Sequence, residues 1–187
     1  MHTLKLNIMK NYLLIILFLL TFHIHNAYTQ EIETKTKTEQ KNSTLTFPEK
    51  IGYVNDFAKV FDSLKVVSLN EKLKNFDKQT TNQIVVISIN DDKLNQDNFD
   101  DYVIDLSNHW GVGTAEKNNG LTFVFSPQLR RMRITTGLGT QEIITDEICA
   151  EIIKNIIIPE FKKEKYFEGI NKGVDECIRI WKDAEPK

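Results

Sequence analysis

The amino-acid sequence predicts an α/β fold in which a small mixed sheet is covered by helices on both faces. One indication is the run of apolar, mostly β-branched residues at 84–89, which is typical of a strand buried on both faces. Another is the helical spacing of apolar residues on either side of that run. A third is a pair of strand-like segments at 121–125 and 131–136, joined by a short turn.

The first half of the chain alternates between strand and helix signals. Residues 50–54 predict a short extended segment that ends at Asn55 and Asp56. Asp62 and Ser63 then form a good helix N-cap. The apolar residues that follow recur at helical spacing: Val66, Leu69, Leu73 and Phe76. After the strand at 84–89, a second helix is expected from about Asn98, with Gly111 as its stop.

The second half begins with the remaining strands. Residues 121–125 would pair with the first strand through a right-handed parallel crossover, and residues 131–136 would return antiparallel. Thr145 and Asp146 mark the start of a third helix that Pro159 should end, with one face lined by Ile148, Ile152 and Ile156. A fourth helix is expected from about Pro159 to Lys182. Its core-facing residues would be Phe167, Ile170, Val174, Cys177, Ile178 and Trp181, with Gly169 and Gly173 explained by close packing.

The N-terminus predicts a signal peptide over residues 1–29, with Lys5 and Lys10 before an apolar run at 12–22. Cleavage between Ala27 and Gln30 would give an exported protein, periplasmic or secreted. An uncleaved N-terminal anchor is the alternative, and it would leave the protein tethered to a membrane. Residues 30–46 have the polar composition of a disordered linker, and residues 47–183 form the expected domain, followed by a tail at 184–187.

Composition narrows the classes of function. Removing residues 1–29 takes away two lysines and no acidic residue, which lowers the formal net charge from −2 to −4 and argues against a nucleic-acid partner. The expected mature chain keeps a single histidine, His109, too few for a multi-histidine zinc site or a histidine relay. Cys149 and Cys177 would form either a disulfide or two buried thiols.

Two glycine-bearing loops and a helix start provide the best candidate site. Asn118, Asn119 and Gly120 precede one strand, and Gly137 and Gly139 follow its antiparallel neighbour, so both loops should reach the same edge of the sheet. Asp146 follows a few residues later. Carboxylate, amide and carbonyl oxygens are the ligands that Ca²⁺ and Mg²⁺ prefer, so we expect a divalent cation as the cofactor. Plain turn and helix-start roles are the alternative for each of these residues.

Arg131 and Arg133 alternate with apolar residues, so they share one face of the sheet. This alternation is typical of a solvated outer face of the strand. Binding of an anion such as phosphate is the functional alternative for the two arginines.

Taken together, several short motifs resemble the TPM-domain family, which includes a thylakoid lumen acid phosphatase and many exported bacterial proteins. They span residues 48–182 and are Gly52-Tyr53-Val54-Asn55-Asp56, Trp110-Gly111-Val112-Gly113, Asn119-Gly120-Leu121, Arg133-Ile134 with Gly137-Leu138-Gly139, Asp146, Ile158-Pro159-x-Phe161, and Tyr166-x-x-Gly169 with Gly173-Val174. The resemblance implies a Rossmann-like three-layer α/β/α sandwich, export and divalent-cation binding.

The resemblance also implies that the acidic site maps to Asp56 and Asp146, near Asn118 and Asn119. Many relatives carry an aspartate at the position of Asn118, so its amide would weaken cation affinity. Two functions follow as expectations: a cation-binding protein with weak metal-assisted phosphatase activity, or a non-enzymatic accessory module for an envelope or membrane protein partner. We expect a monomer, with no transmembrane helix in the mature chain.

Overall fold

The structure is a computed structural model that describes residues 46–184, and its compact folded unit begins at Phe47. Four strands form one sheet in the order β1-β2-β3-β4: β1 (Val54–Asp56), β2 (Gln83–Ser88), β3 (Gly120–Ser126) and β4 (Arg131–Thr136). The pairs β1–β2 and β2–β3 are parallel, whereas β3–β4 is antiparallel. The predicted α/β class and the mixed sheet are therefore confirmed. A fourth strand begins at Val54, where the predicted extended segment was expected to end, and includes Asp56.

Side chains alternate between the two faces of this sheet. The register aligns Val54, Val86, Phe123 and Ile134 in one row across all four strands. All four are buried in the main hydrophobic core. The opposite face carries Val85, Ile87 and Val124, which are also fully buried. Both faces are therefore covered, as a three-layer α/β/α sandwich requires.

Helices cover the first face from both halves of the chain: α1 (Ser63–Thr80), α4 (Asp146–Ile152) and α6 (Tyr166–Ala184). The opposite face is covered by α2 (Phe99–Trp110), where Ser107 Oγ accepts a 3.0 Å hydrogen bond from Thr135 Oγ1 on β4. The crossovers through α1 and α2 advance across the sheet in the same direction but use opposite faces. They are therefore of opposite hand, and one of them departs from the right-handed rule.

The predicted ends of the first two helices are confirmed. Asp62 caps α1 by accepting a 2.9 Å hydrogen bond from the Leu64 amide. Gly111 ends α2 in the left-handed conformation, at φ 57°. Thr145 similarly caps α4, because its side chain accepts from the Ile148 amide.

The third predicted helix is correct at its start but differs in its later turns. After Ile152 the chain continues as a π-helical segment, Ile153–Ile157, and then as a short helix α5 (Ile158–Phe161). The predicted end at Pro159 was therefore wrong, because Pro159 lies in the first turn of α5, where proline is tolerated. The wider π turn changes the helical phase. Ile157 is therefore fully buried in place of Ile156, which the regular spacing predicted for the core and which is only half-buried.

The predicted start of the last helix near Pro159 was wrong, because α6 begins at Tyr166 after a turn in which Glu164 has φ 58°. The prediction of close packing at its glycines is confirmed. An added Cβ at Gly169 would lie 3.0 Å from the Phe161 ring, and one at Gly173 would lie 2.7 Å from Ile157 Cδ1. A further short helix, α3 (Leu138–Gln141), follows β4 and was not predicted.

The predicted signal peptide, nearly all of the linker and most of the C-terminal tail lie outside the described residues. Within residues 46–184, no helix combines the length and the apolar character needed to cross a membrane.

Candidate functional site

The two predicted glycine loops meet at the edge of the sheet where β3 begins and β4 ends. Gly137 N donates to Gly120 O at 2.8 Å, and Gly139 N donates to Asn118 O at 3.1 Å. A Cβ added to Gly120 would overlap the Val112 carbonyl group, and one added to Gly137 would overlap the Asn118 carbonyl group. Glycine is therefore required here because three backbone segments lie in direct contact.

Asn119 holds this junction together through its side chain, which is almost fully buried at 5% exposure. Its Oδ1 accepts from the backbone amide and hydroxyl of Thr114, at 3.0 and 3.2 Å. Its Nδ2 donates to Thr81 O and Asn82 Oδ1, at 2.8 and 3.1 Å. Both lone pairs of the amide oxygen are therefore used within the fold, and this geometry leaves none for a cation.

Asn118 has a different role from its neighbour. It adopts the left-handed conformation, with φ 48°, and its carbonyl oxygen accepts from the Gly139 and Thr140 amides. Its side chain is exposed. The backbone of Asn118 therefore joins the two loops, and its amide side chain remains open to solvent at the same edge.

Asp146 and Arg133 line one polar groove of about 200 Å³ beside this junction. We name it the Arg133 groove. Asp146 is exposed in the first turn of α4, where a carboxylate is favoured by the helix dipole. The other polar side chains that line the groove are Ser107, Asn108, Thr122, Thr135, Thr136 and Gln141. The groove also borders Gly120 and Gly137, so four predicted site residues come together here.

The two predicted anion-binding arginines differ in how far they are already paired. Arg131 Nη2 donates to Asp100 Oδ2 at 2.7 Å, and its guanidinium lies 5.7 Å from the centre of the Phe99 ring. Arg133 Nη1 lies 3.8 Å from the same carboxylate. Its Nε is buried and makes no hydrogen bond within the described part of the chain. The Arg133 side chain is 39% exposed, and among the described residues its Nη1 makes only the long contact with Asp100, so the end of its guanidinium can still meet a ligand. Arg131 instead donates directly to Asp100.

Asp56 lies at the opposite edge of the sheet. The register places it beside Ser88, whereas Gly120 lies beside Gln83, five residues or roughly 16 Å away along β2. Its carboxylate accepts from Val60 N at 3.1 Å, from Phe61 N at 2.8 Å and from the Ser88 hydroxyl. The structure therefore does not bring Asp56 to Asp146, and Asp56 organises the loop after β1 instead.

The donor set of the Arg133 groove suits a weakly held hard cation. Asp146 supplies one carboxylate, and amide and hydroxyl oxygens surround it. Among residues 46–184, no three His, Cys, Asp or Glu side chains come together as a metal site. Any cation at Asp146 would therefore depend on neutral oxygens, water and the ligand itself for most of its coordination.

Nucleophilic chemistry finds little support in the groove. Ser107 Oγ donates to Val103 O at 2.7 Å and accepts from Thr135 Oγ1, so this hydroxyl is already engaged. His109, in the last turn of α2, packs against the Phe47 ring with the ring centroids 5.1 Å apart and does not line the groove. The groove therefore offers no hydroxyl paired with a histidine base.

Both cysteines are free and buried, which matches the thiol alternative of the sequence analysis. Burial raises the pKa of Cys149 to about 11, and it raises the pKa of Cys177 as well. Because the thiolate is the reactive form, neither residue is suited to nucleophilic or redox chemistry at neutral pH.

Several groove residues were missed by the sequence analysis, although strand alternation could have found some of them. Thr122 and Thr135 lie on the same sheet face as Arg133, by register and by the period of two. Gln141 lies on the unpredicted α3, so its position had no comparable signal.

Comparison with known proteins supports the family assignment. Residues 54–180 match the TPM domain, and the chain therefore belongs to the TPM-domain family. None of the curated proteins matches significantly. Among solved structures, the chain resembles the N-terminal domain of a protein from P. gingivalis at 27% identity and a TM-score of 0.61, covering 71% of this chain and 83% of that one.

Two more distant structures show the same fold. The BA42 protein of the psychrophilic bacterium Bizionia argentinensis is 14% identical with a TM-score of 0.58, over 67% of this chain and 84% of that one. The N-terminal domain of a Corynebacterium glutamicum protein is 11% identical with a TM-score of 0.53, over 77% of this chain and 89% of that one.

Proposed function

We propose that this TPM-domain protein binds a phosphate-bearing ligand together with a divalent cation, Ca²⁺ or Mg²⁺, in the Arg133 groove. The observation that carries the proposal is the shared groove of Arg133 and Asp146. The guanidinium of Arg133 would hold phosphate oxygens through charge-assisted hydrogen bonds. The Asp146 carboxylate would hold the cation, which would also contact the phosphate.

Weak phosphatase activity is the extension of this proposal. A bound divalent cation polarises a phosphoryl oxygen and lowers the pKa of a bound water. The residues of the chain would orient the phosphate, with Arg133 on one side and the hydroxyl-bearing groove wall on the other. Because the groove lacks a histidine base, we expect slow turnover, with ligand binding as the main property.

Thermal unfolding of the purified protein tests the binding step. We expect Ca²⁺ or Mg²⁺ with inorganic phosphate to raise Tm saturably, because a ligand that binds only the folded state stabilises it. Asp146→Asn and Arg133→Gln should abolish the increase. Arg131→Gln is the control, because it removes the same charge from a neighbouring arginine that does not line the groove. This variant should still show the increase in Tm. An increase that survives Asp146→Asn would refute the proposal.

Hydrolysis of p-nitrophenyl phosphate tests the proposed phosphatase activity separately from ligand binding. We expect slow release of p-nitrophenol that a chelator and Asp146→Asn both eliminate. Activity that persists after both changes would come from another site or from a contaminant. Cation and phosphate binding without any turnover would leave the binding proposal in place and remove the phosphatase.

An accessory role in the envelope is the second candidate, favoured by exposed apolar side chains on α1. Leu64 is 78% exposed and Val67 is 61% exposed. The two residues are three positions apart on α1, so their side chains are neighbours on one face of the helix. Such a surface suits a protein partner. The pair of changes Leu64→Gln and Val67→Gln should eliminate capture of that partner from an envelope extract and leave cation binding unchanged. Capture that persists would exclude this surface.

We also propose that the protein acts after export, in the periplasm or outside the cell. The support is sequence alone: Lys5 and Lys10 precede the apolar residues 12–22. N-terminal sequencing of protein from the periplasm or medium should find a start close to Gln30. A membrane-bound chain that still begins at Met1 would indicate the uncleaved anchor, and an intact cytosolic chain would refute export.

A further inference from the structure

A second cavity, separate from the Arg133 groove, lies at the other edge of the sheet. Its volume is about 420 Å³, which falls in the range of small-molecule sites. Ser126 and Pro127 border it where β3 ends, so it lies at the carboxyl edge of the parallel strands. In open α/β sheets this is the edge at which ligands usually bind.

One wall of this cavity is apolar, and contacts between aromatic rings hold it in place. Met132, Ile158, Phe161 and Tyr166 line it. The rings of Phe161 and Tyr166 meet edge to face at a centroid distance of 5.1 Å, and Phe161 lies 5.1 Å from the buried ring of Phe125. Ring contacts of this kind hold the side chains in place. The cavity therefore offers a fixed aromatic wall for an apolar molecule.

The cavity adjoins the π-helical segment Ile153–Ile157, since Ile158 directly follows it. The helix that follows it, α5, contributes Ile158 and Phe161 to the cavity lining. Wide turns of this type occur frequently at functional sites. The apolar wall therefore lies next to a departure from regular helix.

The remaining lining residues are mainly cationic. Arg130 and Lys162 border the cavity, and both are exposed. Neither side chain makes an ion pair or a hydrogen bond with any residue in 46–184. Arg131 also borders the cavity but pairs with Asp100, and Glu164 is the single acidic lining residue. The rim therefore carries two cations that remain free for an anion.

We propose that this cavity binds a small amphipathic anion, namely a carboxylate attached to an apolar or aromatic body. The apolar body would lie against Phe161 and Tyr166, and the carboxylate would meet Arg130 and Lys162 at the rim. A neutral apolar molecule would leave both cations unused. This site is independent of the Arg133 groove, because the two cavities share no lining residue.

Titration of the purified protein with octanoate and with 1-octanol, followed by amide NMR, tests the proposal. The two probes have the same chain length and differ in the charge of the head group. We expect saturable shifts at residues 126–132 and 158–166, with octanoate binding about tenfold more tightly, as charge-assisted hydrogen bonds imply. No saturable shift, equal affinities, or shifts confined to other residues would refute the proposal.

A pair of variants tests the role of the rim. The double change Arg130→Gln and Lys162→Gln should bring the octanoate affinity down to that of 1-octanol. The double change Lys78→Gln and Lys182→Gln removes the same charge from exposed positions outside the cavity and should preserve the tenfold preference. A preference that survives the rim variant, or is lost equally in the control, would overturn the assignment of the carboxylate to Arg130 and Lys162.

Discussion

The buried hydroxyl of Thr140 donates a 3.0 Å hydrogen bond to the carbonyl oxygen of Gly120, which joins the short helix after β4 to the first residue of β3. The same carbonyl also accepts from Gly137 N at 2.8 Å. These two bonds fix the position of the loops that border the Arg133 groove. The geometry of the groove therefore depends on the buried contact between Thr140 and Gly120.

We predict that Thr140→Val lowers the free energy of unfolding by about 1 kcal/mol, because one buried hydrogen bond is lost while Gly120 O keeps its other donor. Urea unfolding measures this. Thr122→Val is a matched control, since Thr122 is also buried on β3 but makes no side-chain hydrogen bond within the described residues. It should change stability by less than about 0.5 kcal/mol. Equal losses would show that the Thr140 bond contributes nothing specific.

Asp56→Asn should destabilise the fold by about 1–3 kcal/mol and leave cation affinity unchanged. The amide can no longer accept from both the Val60–Phe61 backbone and Ser88 with the strength of a carboxylate. Asp62→Asn is the control, because asparagine caps a helix as well as aspartate does. Calcium titration and urea unfolding distinguish a structural role of Asp56 from a role as a cation ligand. Loss of cation binding with intact stability would make Asp56 a ligand after all.

Asn119→Ala should lower the free energy of unfolding by about 2–3 kcal/mol, since buried partners lose their hydrogen bonds. Its neighbour supplies the control: Asn118→Gly removes an exposed amide at φ 48°, a conformation that glycine adopts freely, and should be nearly neutral. Urea unfolding of both variants measures the difference. If both variants lose the same stability, the side-chain network of Asn119 is not the cause.

We predict that the Tyr53 hydroxyl makes the free energy of unfolding fall as the pH rises above 10. Its hydroxyl donates to Asp77 Oδ2 at 2.7 Å, and this hydrogen bond raises the pKa of Tyr53 to about 12. In the unfolded chain Tyr53 loses its proton near the ordinary tyrosine pKa of 10. The stabilisation of the folded state by this hydrogen bond is therefore complete below pH 10 and is lost as the pH rises towards 12. Tyr53→Phe should therefore show a shallower fall in stability between pH 9 and 11. An unchanged slope would contradict the pKa of Tyr53.

Much of the fold could be predicted because local signals agreed with the tertiary structure. The apolar run at residues 84–89 forms most of the buried strand β2. The helix caps at Asp62 and Gly111 lie at the positions that their residue types predicted. The π turn could not be predicted in this way, since residues 152–158 satisfy ordinary helical spacing almost equally well. The wider turn places Ile157 against Gly173, a contact between distant parts of the chain that no local pattern encodes.

The candidate site was predictable in part, for a similar reason. The short turn between β3 and β4 required the loops of Gly120 and Gly137 to meet at one edge, and they do. Only the family resemblance placed Asp56 at this site. Asp56 ends a strand that runs parallel to β2 and β3, whereas Gly120 begins β3, so the chain topology itself puts Asp56 at the opposite end of the sheet. Whether Asn119 faces a ligand or its own loop depends on contacts with Thr81 and Thr114, which no local pattern encodes.

Amide NMR of the purified protein during a calcium titration in the presence of phosphate tests the central claim most directly. The Arg133 groove predicts saturable shifts at residues 118–120, 133–141 and 145–147, which Asp146→Asn should eliminate. Residues 56–61 should not shift, because their loop lies at the opposite edge of the sheet. Saturable shifts centred on Asp56 and Ser88, or no saturable shift at millimolar cation, would contradict the assignment of the site to Arg133 and Asp146.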